Sequence, residues 1–552
     1  MMMELWNELE KDSKWSIKKC LSGPMGVGKS YIAWFLAAKA YAHGWPVLYI
    51  ADAKVLNDSA TSAEASTRLC ERYLAINHDI LTVEELRALV DSEDTSEPLV
   101  VSSASYILGS LLQQTHRKTL FIIDEHGALF PDKKLPASTR FPVLGPLDSF
   151  NSWLTSNAGA RVVFTGTANG RFERTILRDG PHYITYIGPL SRVIFDKLFD
   201  AVITRFDPTV REYFEQIKDE VVRITNCVPR ELVNLSKEIG TSQLTPKQVE
   251  DVMGEYQSQR DAFFYESVKG HYEGLGDVSK GDTRQALTNI FLPRKDAPRG
   301  AFDWKFEDFG IVYRHKVNSS LRYHPITPAA RKALLRLYTT IPLPEAYRNN
   351  MTRNCLSPTE FEDALFQQFI RGSSIVLKTT DLAGNKPLDV CLNISGYELM
   401  QKPPRMLGAK GMGILIRGYE GYERFDFILG YTFIQVSISS FTRHNSGSAD
   451  IDNAFEREDV DAKNQIEEYL DATYGGVHKA NMIKTARAKG QYTKKFEVTK
   501  DGEPIDFKIV YMHGRNDKSN SPNHTTKVNE YPEIRHICYD EIKSKMFGLD
   551  LS

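Results

Sequence analysis

The chain has 552 residues, 41% of them hydrophobic and 25% charged, with a formal net charge of −2. That length exceeds what one hydrophobic core holds, so several domains are expected. The near-neutral balance excludes a polyelectrolyte, and any affinity for nucleic acid has to come from a local basic patch. Six scattered cysteines without a C-x-x-C pair argue against a zinc ribbon and a disulfide framework, and for a reducing compartment.

No run approaches the roughly 18 apolar residues of a membrane span, so no membrane partner is expected. Residues 1–15 are polar and acidic, an N-terminal extension rather than a signal peptide. The expectation is an intracellular protein of α/β multidomain class: a P-loop NTPase core over 16–205, a helical lid and winged-helix-like middle over 206–345, and a third domain over 346–552.

The NTPase expectation starts at GPMGVGKS, which fits the G-x-x-x-x-G-K-[ST] loop between an apolar strand and a helical run. Gly23, Gly26, Val27, Gly28, Lys29 and Ser30 are the expected nucleotide-binding residues. Backbone N–H groups at the helix start face phosphate, Lys29 reaches the β- and γ-phosphates, and Ser30 holds Mg²⁺. A second strand follows at Pro46. The run at 119–123 then ends in Asp124-Glu125, where Asp124 supports Mg²⁺ and Glu125 prepares the attacking water.

A further apolar strand at Arg161 ends in Thr165 and Thr167. These are candidate polar sensors of an extra strand lying between the loop strand and the Asp124 strand, or ordinary strand-end threonines. Arg230 opens a helix, either as a second sensor arginine near the γ-phosphate or as a plain first-turn arginine. Arg171, Arg174 and Arg178 are candidate fingers into a neighbouring subunit, which leaves a homo-oligomer open. The expected nucleotide is ATP, with GTP left open.

From Asp308 two short strands around an Asn-Ser-Ser turn lead into a helix opened by Thr327-Pro328. Hairpin plus helix suggests a winged-helix-like module, either a DNA binder or a lid, with Arg314 and Arg322 as a secondary DNA surface. At Ser357 a new helix starts with Pro358 at its first position and Glu360 closing a capping box. Glu362 and Asp363 remain available on it.

Downstream strands carry Asp426 and, nine positions on, Gln435 and Ser437. An acid on a helix, an Asp entering one strand and a polar-x-polar pair on the next outline a restriction-endonuclease-like core of PD-(D/E)XK type. There Glu362, Asp426 and Gln435 would bind Mg²⁺ or Mn²⁺, Gln435 more weakly than an acid would. Ser437 stands where a Lys is usual, and His444 is the available water-activating group. Strands with an Asp at one end also occur without any site. Between 479 and 527, eleven Lys or Arg face five acids, with Tyr492, Tyr511, His478, His513 and His524 interleaved. This is either a solvated face or a phosphate-binding surface for double-stranded DNA with little sequence preference.

Taken together, GPMGVGKS, FIIDEH, FTGTANGRFE leading to GPLS, the phrase from Asp308 to Arg314, Phe361-Glu362 and FIQVSIS followed by a His resemble the Crinkler effectors of oomycetes and fungi. That group is related to the retrotransposon hot spot proteins of trypanosomes. The resemblance implies a P-loop NTPase coupled to a C-terminal restriction-endonuclease-like domain. In that family Gln often replaces the second metal-site acid and Ser or Thr follows it. It also implies delivery into host cells, action in the nucleus and host-protein partners.

Overall fold

The computed structural model describes residues 1–13, 17–53, 62–85, 118–125, 160–166, 184–240, 243–292, 304–317, 320–372, 374–399, 411–417, 425–445, 466–467, 469–471, 473–487, 492–515 and 528–549. The chain divides into two compact units, Met1–Gly274 with Asp303–Arg331, and Leu275–Phe302 with Lys332–Ser552. The expected middle region, 206–345, is therefore shared between them. No described helix is long and apolar enough to cross a membrane.

In the first unit, β1 (Ile17–Ser22), β2 (Val47–Ile50), β3 (Thr119–Ile123), β4 (Ala160–Thr165) and β5 (Ile184–Tyr186) form one parallel sheet in the order β2-β3-β4-β1-β5. All five residues of β3 are buried, which is why its sequence is apolar without alternation: a parallel strand covered on both faces has no polar side. β4 lies between β1 and β3, so the ends of all three strands meet along one edge.

Five helices follow, from Arg192–Ile203 to Pro246–Glu273. Their starts are written locally. Asp207 accepts a bond from the Thr209 N–H, and Thr245 with Gln248 forms a reciprocal capping box ahead of Pro246. They close on a core that includes Phe195, Phe199, Phe214, Leu232 and Leu235. A short helix, Trp304–Asp308, and the hairpin β6 (Val312–Val317) and β7 (Ser320–Pro325) return to this same unit.

The second unit is built on a mixed eight-stranded sheet. Its strands are β8 (Ser374–Asp381), β9 (Leu388–Asn393), β10 (Gly396–Leu399), β11 (Ile414–Arg417), β12 (Phe427–Leu429), β13 (Thr432–Ser437), β17 (Lys508–His513) and β18 (Arg535–Ile537). They run in the order β10-β11-β12-β13-β17-β18-β8-β9. A separate antiparallel sheet holds β14 (His478–Ala486), β15 (Tyr492–Lys500) and β16 (Glu503–Pro504).

Helix Pro358–Arg371 starts as its sequence dictates. Ser357 Oγ accepts from the Glu360 N–H, and Glu360 accepts from the Ser357 N–H at 2.8 Å. Its Phe366 and Phe369 rings pack on Phe427 of β12, with centroids 6.1 and 5.5 Å away. Asp363, on the same helix, is buried against Arg284 at 3.0 Å and also accepts from Tyr338. It ties helix Asp277–Phe291 into this unit and is not available for chemistry.

Candidate functional site

The nucleotide-site residues of the first unit are set by β1, β3 and β4. After Ser22 the chain turns through Gly23, whose added Cβ would meet the Ile187 carbonyl oxygen, so no larger residue fits. Gly26 sits at φ +90°, a conformation that strains any residue with a side chain, and a Cβ there would lie 2.5 Å from Arg230 Cβ. Gly28 caps helix Lys29–Ala42, and nothing lies within 4 Å of where its Cβ would be. That space, in front of a helix N-terminus, suits phosphate oxygens.

Lys29 is buried, and its ammonium donates to the Gly23 and Pro24 carbonyls at 2.7 and 2.8 Å. Burial lowers its pKa to about 8. The charges of Glu125, Glu307 and Asp124 act against that shift, and Arg230 adds to it. Those four charges therefore act on one ammonium. Val27 is buried and Ser30 exposed at the helix start.

Asp124 is 3% exposed and anchored on the sheet edge, with its N–H donating to the Ile50 carbonyl at 2.8 Å. Its Oδ1 accepts from the Thr165 hydroxyl at the end of β4 and from the Glu125 N–H at 2.9 Å. The strand order brings Thr165 to this carboxylate. Glu125 is exposed at φ +53°, a left-handed turn costing on the order of 1 kcal/mol in a residue with a side chain. Thr167, Arg171, Arg174 and Arg178 lie outside the described residues.

Arg230 reaches the loop from a helix whose position is fixed independently. Its N–H donates to the Gly26 carbonyl at 3.3 Å. The next residue, Glu231, is 5% exposed, accepts from Tyr256 at 2.6 Å, and pairs with Arg260 at 2.7 Å, so helix Pro229–Ile239 is tied to helix Pro246–Glu273. An ammonium, a guanidinium and two acids around a loop of N–H donors can hold a polyphosphate. The oxygen donors Ser30 and Asp124 suit Mg²⁺.

Arg314 corrects an expectation. It is 2% exposed and paired with Glu307 at 2.9 Å, so it cannot offer a DNA-binding surface on the hairpin.

In the second unit Glu362 and Asp426 do converge, but on a side chain. Arg417 Nη2 is 2.5 Å from Glu362 Oε1, and its Nη1 donates to the Asp426 carbonyl at 2.8 Å and approaches Oδ1 at 3.3 Å. The Val436 N–H also donates to Asp426 Oδ2 at 2.6 Å. Burial and the nearby Glu362 push the Asp426 carboxyl up to about 6, against the opposing pull of Arg417. Gln435 is fully buried on β13, and Ser437 accepts from the Ser439 N–H at 3.0 Å.

With the guanidinium between the two acids, the residues present do not fit a bound Mg²⁺ or Mn²⁺. Among the described residues no group of three or more His, Cys, Asp or Glu is arranged to hold a metal. The histidine paired with Ser437 across the sheet is His513, which the sequence reading did not connect with Ser437. His444 is held below its ordinary pKa by burial, with its ring 5.9 Å from Tyr511.

The basic segment is partly neutralised. Lys494 pairs with Glu530 at 3.2 Å and donates to the Tyr531 hydroxyl, so it is an internal contact rather than a free phosphate ligand. Lys479 pairs with Glu467, and Lys508 with Asp506. Two of these acids, Glu467 and Glu530, lie outside the 479–527 window. Lys518, His524 and Lys527 lie outside the described residues.

Residues 19–177 match the family described as ATPase family associated with various cellular activities (AAA). No curated protein matches the chain. Among solved structures, a Walker-type ATPase of Pyrococcus abyssi is 13% identical, covering 60% of this chain and 95% of its own, with a TM-score of 0.37. The Aeropyrum pernix ORC2 protein, in ADPNP and ADP complexes, is 13% identical over 61% of this chain and 93% of its own, at 0.31. AMPPCP-bound DnaA from Aquifex aeolicus is 12% identical over 56% and 84%, at 0.26. On the strength of the family match, the chain carries a P-loop ATPase domain of the AAA type.

Proposed function

We propose that the chain is an ATP hydrolase whose nucleotide cycle governs a DNA-engaging second unit. The observation that carries the enzymatic half is the gathering of Lys29, Asp124, Glu125, Thr165 and Arg230 around one glycine loop. In this reading Lys29 and Arg230 bind the β- and γ-phosphates, and Ser30 and Asp124 hold Mg²⁺, which neutralises phosphate charge. Glu125 orients and deprotonates water, and Thr165 fixes the Asp124 carboxylate.

For the second unit, the Arg417 bridge favours a binding module with the outline of a nuclease core over an active nuclease. The cutting reading rests on the convergence of Glu362 and Asp426, and it requires Arg417 to leave. DNA contact is assigned to exposed cations such as Lys484 and Lys495. The resemblance to Crinkler effectors extends the proposal to action in a host nucleus with host proteins as partners, and one of Arg171, Arg174 and Arg178, which follow the Thr165 strand in sequence, is a candidate finger into a second copy of the chain.

Plasmid incubation with Mg²⁺ or Mn²⁺, with and without ATP, tests the division. Equal, negligible cleavage by wild type and Asp426→Ala, alongside ATP-dependent DNA binding by both, is expected. Cleavage by wild type that Asp426→Ala abolishes would restore the nuclease. ATP binding and hydrolysis missing from the wild type would remove the first half.

A further inference from the structure

The nucleotide loop has a neighbour that no nucleotide-site motif predicts. Arg314 on β6 donates from Nη2 to Ser22 Oγ at 2.8 Å, across 292 positions of sequence. Ser22 is the residue immediately before Gly23, and the two carbonyls that follow it accept from Lys29. The same guanidinium is held by Glu307 through Nε at 3.0 Å and Nη2 at 2.9 Å, and it lies 4.7 Å from the centre of the Tyr186 ring. Arg314 and Glu307 are both buried, at 2% and 0% exposed.

The turn between them also touches the loop: a Cβ on Gly310, at φ +69°, would lie 3.6 Å from Met25 Cβ. Burial pushes the Glu307 carboxyl well above its ordinary pKa, and the Lys29 charge opposes that shift. Two buried ions are an expensive way to hold a hairpin, because apolar residues of like volume serve stability as well or better. Their retention here needs a reason, and their place at the foot of the phosphate loop supplies one.

We propose that Glu307 and Arg314 are positioning residues for the nucleotide phosphates. Arg314 fixes the Ser22 hydroxyl and with it the entry of the loop. Glu307 orients Arg314 by holding its Nε and Nη2. The affinity of the loop for ATP thus depends on a segment that lies far downstream in sequence. The inference rests on the ATPase reading above.

The test uses the full chain with Glu307→Leu and Arg314→Met combined, and Arg314→Lys alone. Calorimetry gives the Kd for ATP, steady-state phosphate release gives KM and kcat, and scanning calorimetry gives Tm. The double variant should keep its Tm within a few degrees, while Kd and KM rise about tenfold or more, the cost of a misaligned phosphate cradle. Arg314→Lys keeps the charge but loses the fork that holds Glu307 and Ser22 together, and its KM should rise as well. A folded double variant, or a folded Arg314→Lys, with wild-type Kd and KM would overturn the inference and leave the ATPase reading standing. A wild type that binds no ATP would overturn both.

Discussion

Lys29 shows how a single residue sets a measurable property of the site. Its pKa, lowered to about 8 by burial, lies below the ordinary 10.5. A buried ammonium therefore costs stability below about pH 8, and the cost is relieved as pH rises from 8 towards 10.5, where the unfolded chain binds the extra proton. Bound phosphates favour the charged form and should raise the pKa again. ATP binding should consequently take up protons at pH 8.5 and weaken as pH rises further. Calorimetry in two buffers of different ionisation enthalpy measures the uptake, and Lys29→Met should remove it. Zero uptake by the wild type would show that the ammonium titrates elsewhere.

Among the elements, β3 was legible because a doubly covered parallel strand has a sequence of its own, five buried residues followed by two acids, and β4 was legible from its apolar run Val162-Val163-Phe164. The helix at Pro358 was legible from its capping box. The hairpin β6–β7 was legible as a hairpin but not in its location. Arg314 has the look of a surface cation until Glu307 and Ser22 are found beside it, and long-range pairing leaves no periodic signal. Arg417 was missed for the same reason, since four residues of strand say nothing of which acids face it.

The basic segment is overcounted by its window, because two acids beyond its ends, Glu467 and Glu530, pair with Lys479 and Lys494. Lys495, exposed and paired with Glu497 at 2.9 Å, should lower the slope of log K against log salt by about 1 when changed to Ala. Lys494→Ala should leave the slope unchanged and lower Tm, since it breaks the Glu530 and Tyr531 contacts. Equal slope changes in both would return Lys494 to the DNA surface. Arg417→Ala should leave Glu362 and Asp426 facing each other, so that millimolar Mn²⁺ raises the Tm of the variant more than that of the wild type. No differential shift would mean the acids do not form a cation site even when cleared.

At the scale of the whole molecule, the ATPase residues and the Glu362–Arg417–Asp426 bridge belong to different compact units. Asp426→Ala should therefore leave ATP turnover at the wild-type rate. The central claim is that the glycine loop with Lys29, Asp124 and Glu125 hydrolyses ATP, and phosphate release by the full chain tests it most directly. The wild type should turn over, and Lys29→Ala should not, having lost the ammonium on the β- and γ-phosphates. Glu125→Gln should bind ATP with near wild-type affinity yet release phosphate about a hundredfold more slowly or less. Turnover by Lys29→Ala equal to that of the wild type, or affinity lost together with hydrolysis in Glu125→Gln, would contradict the account.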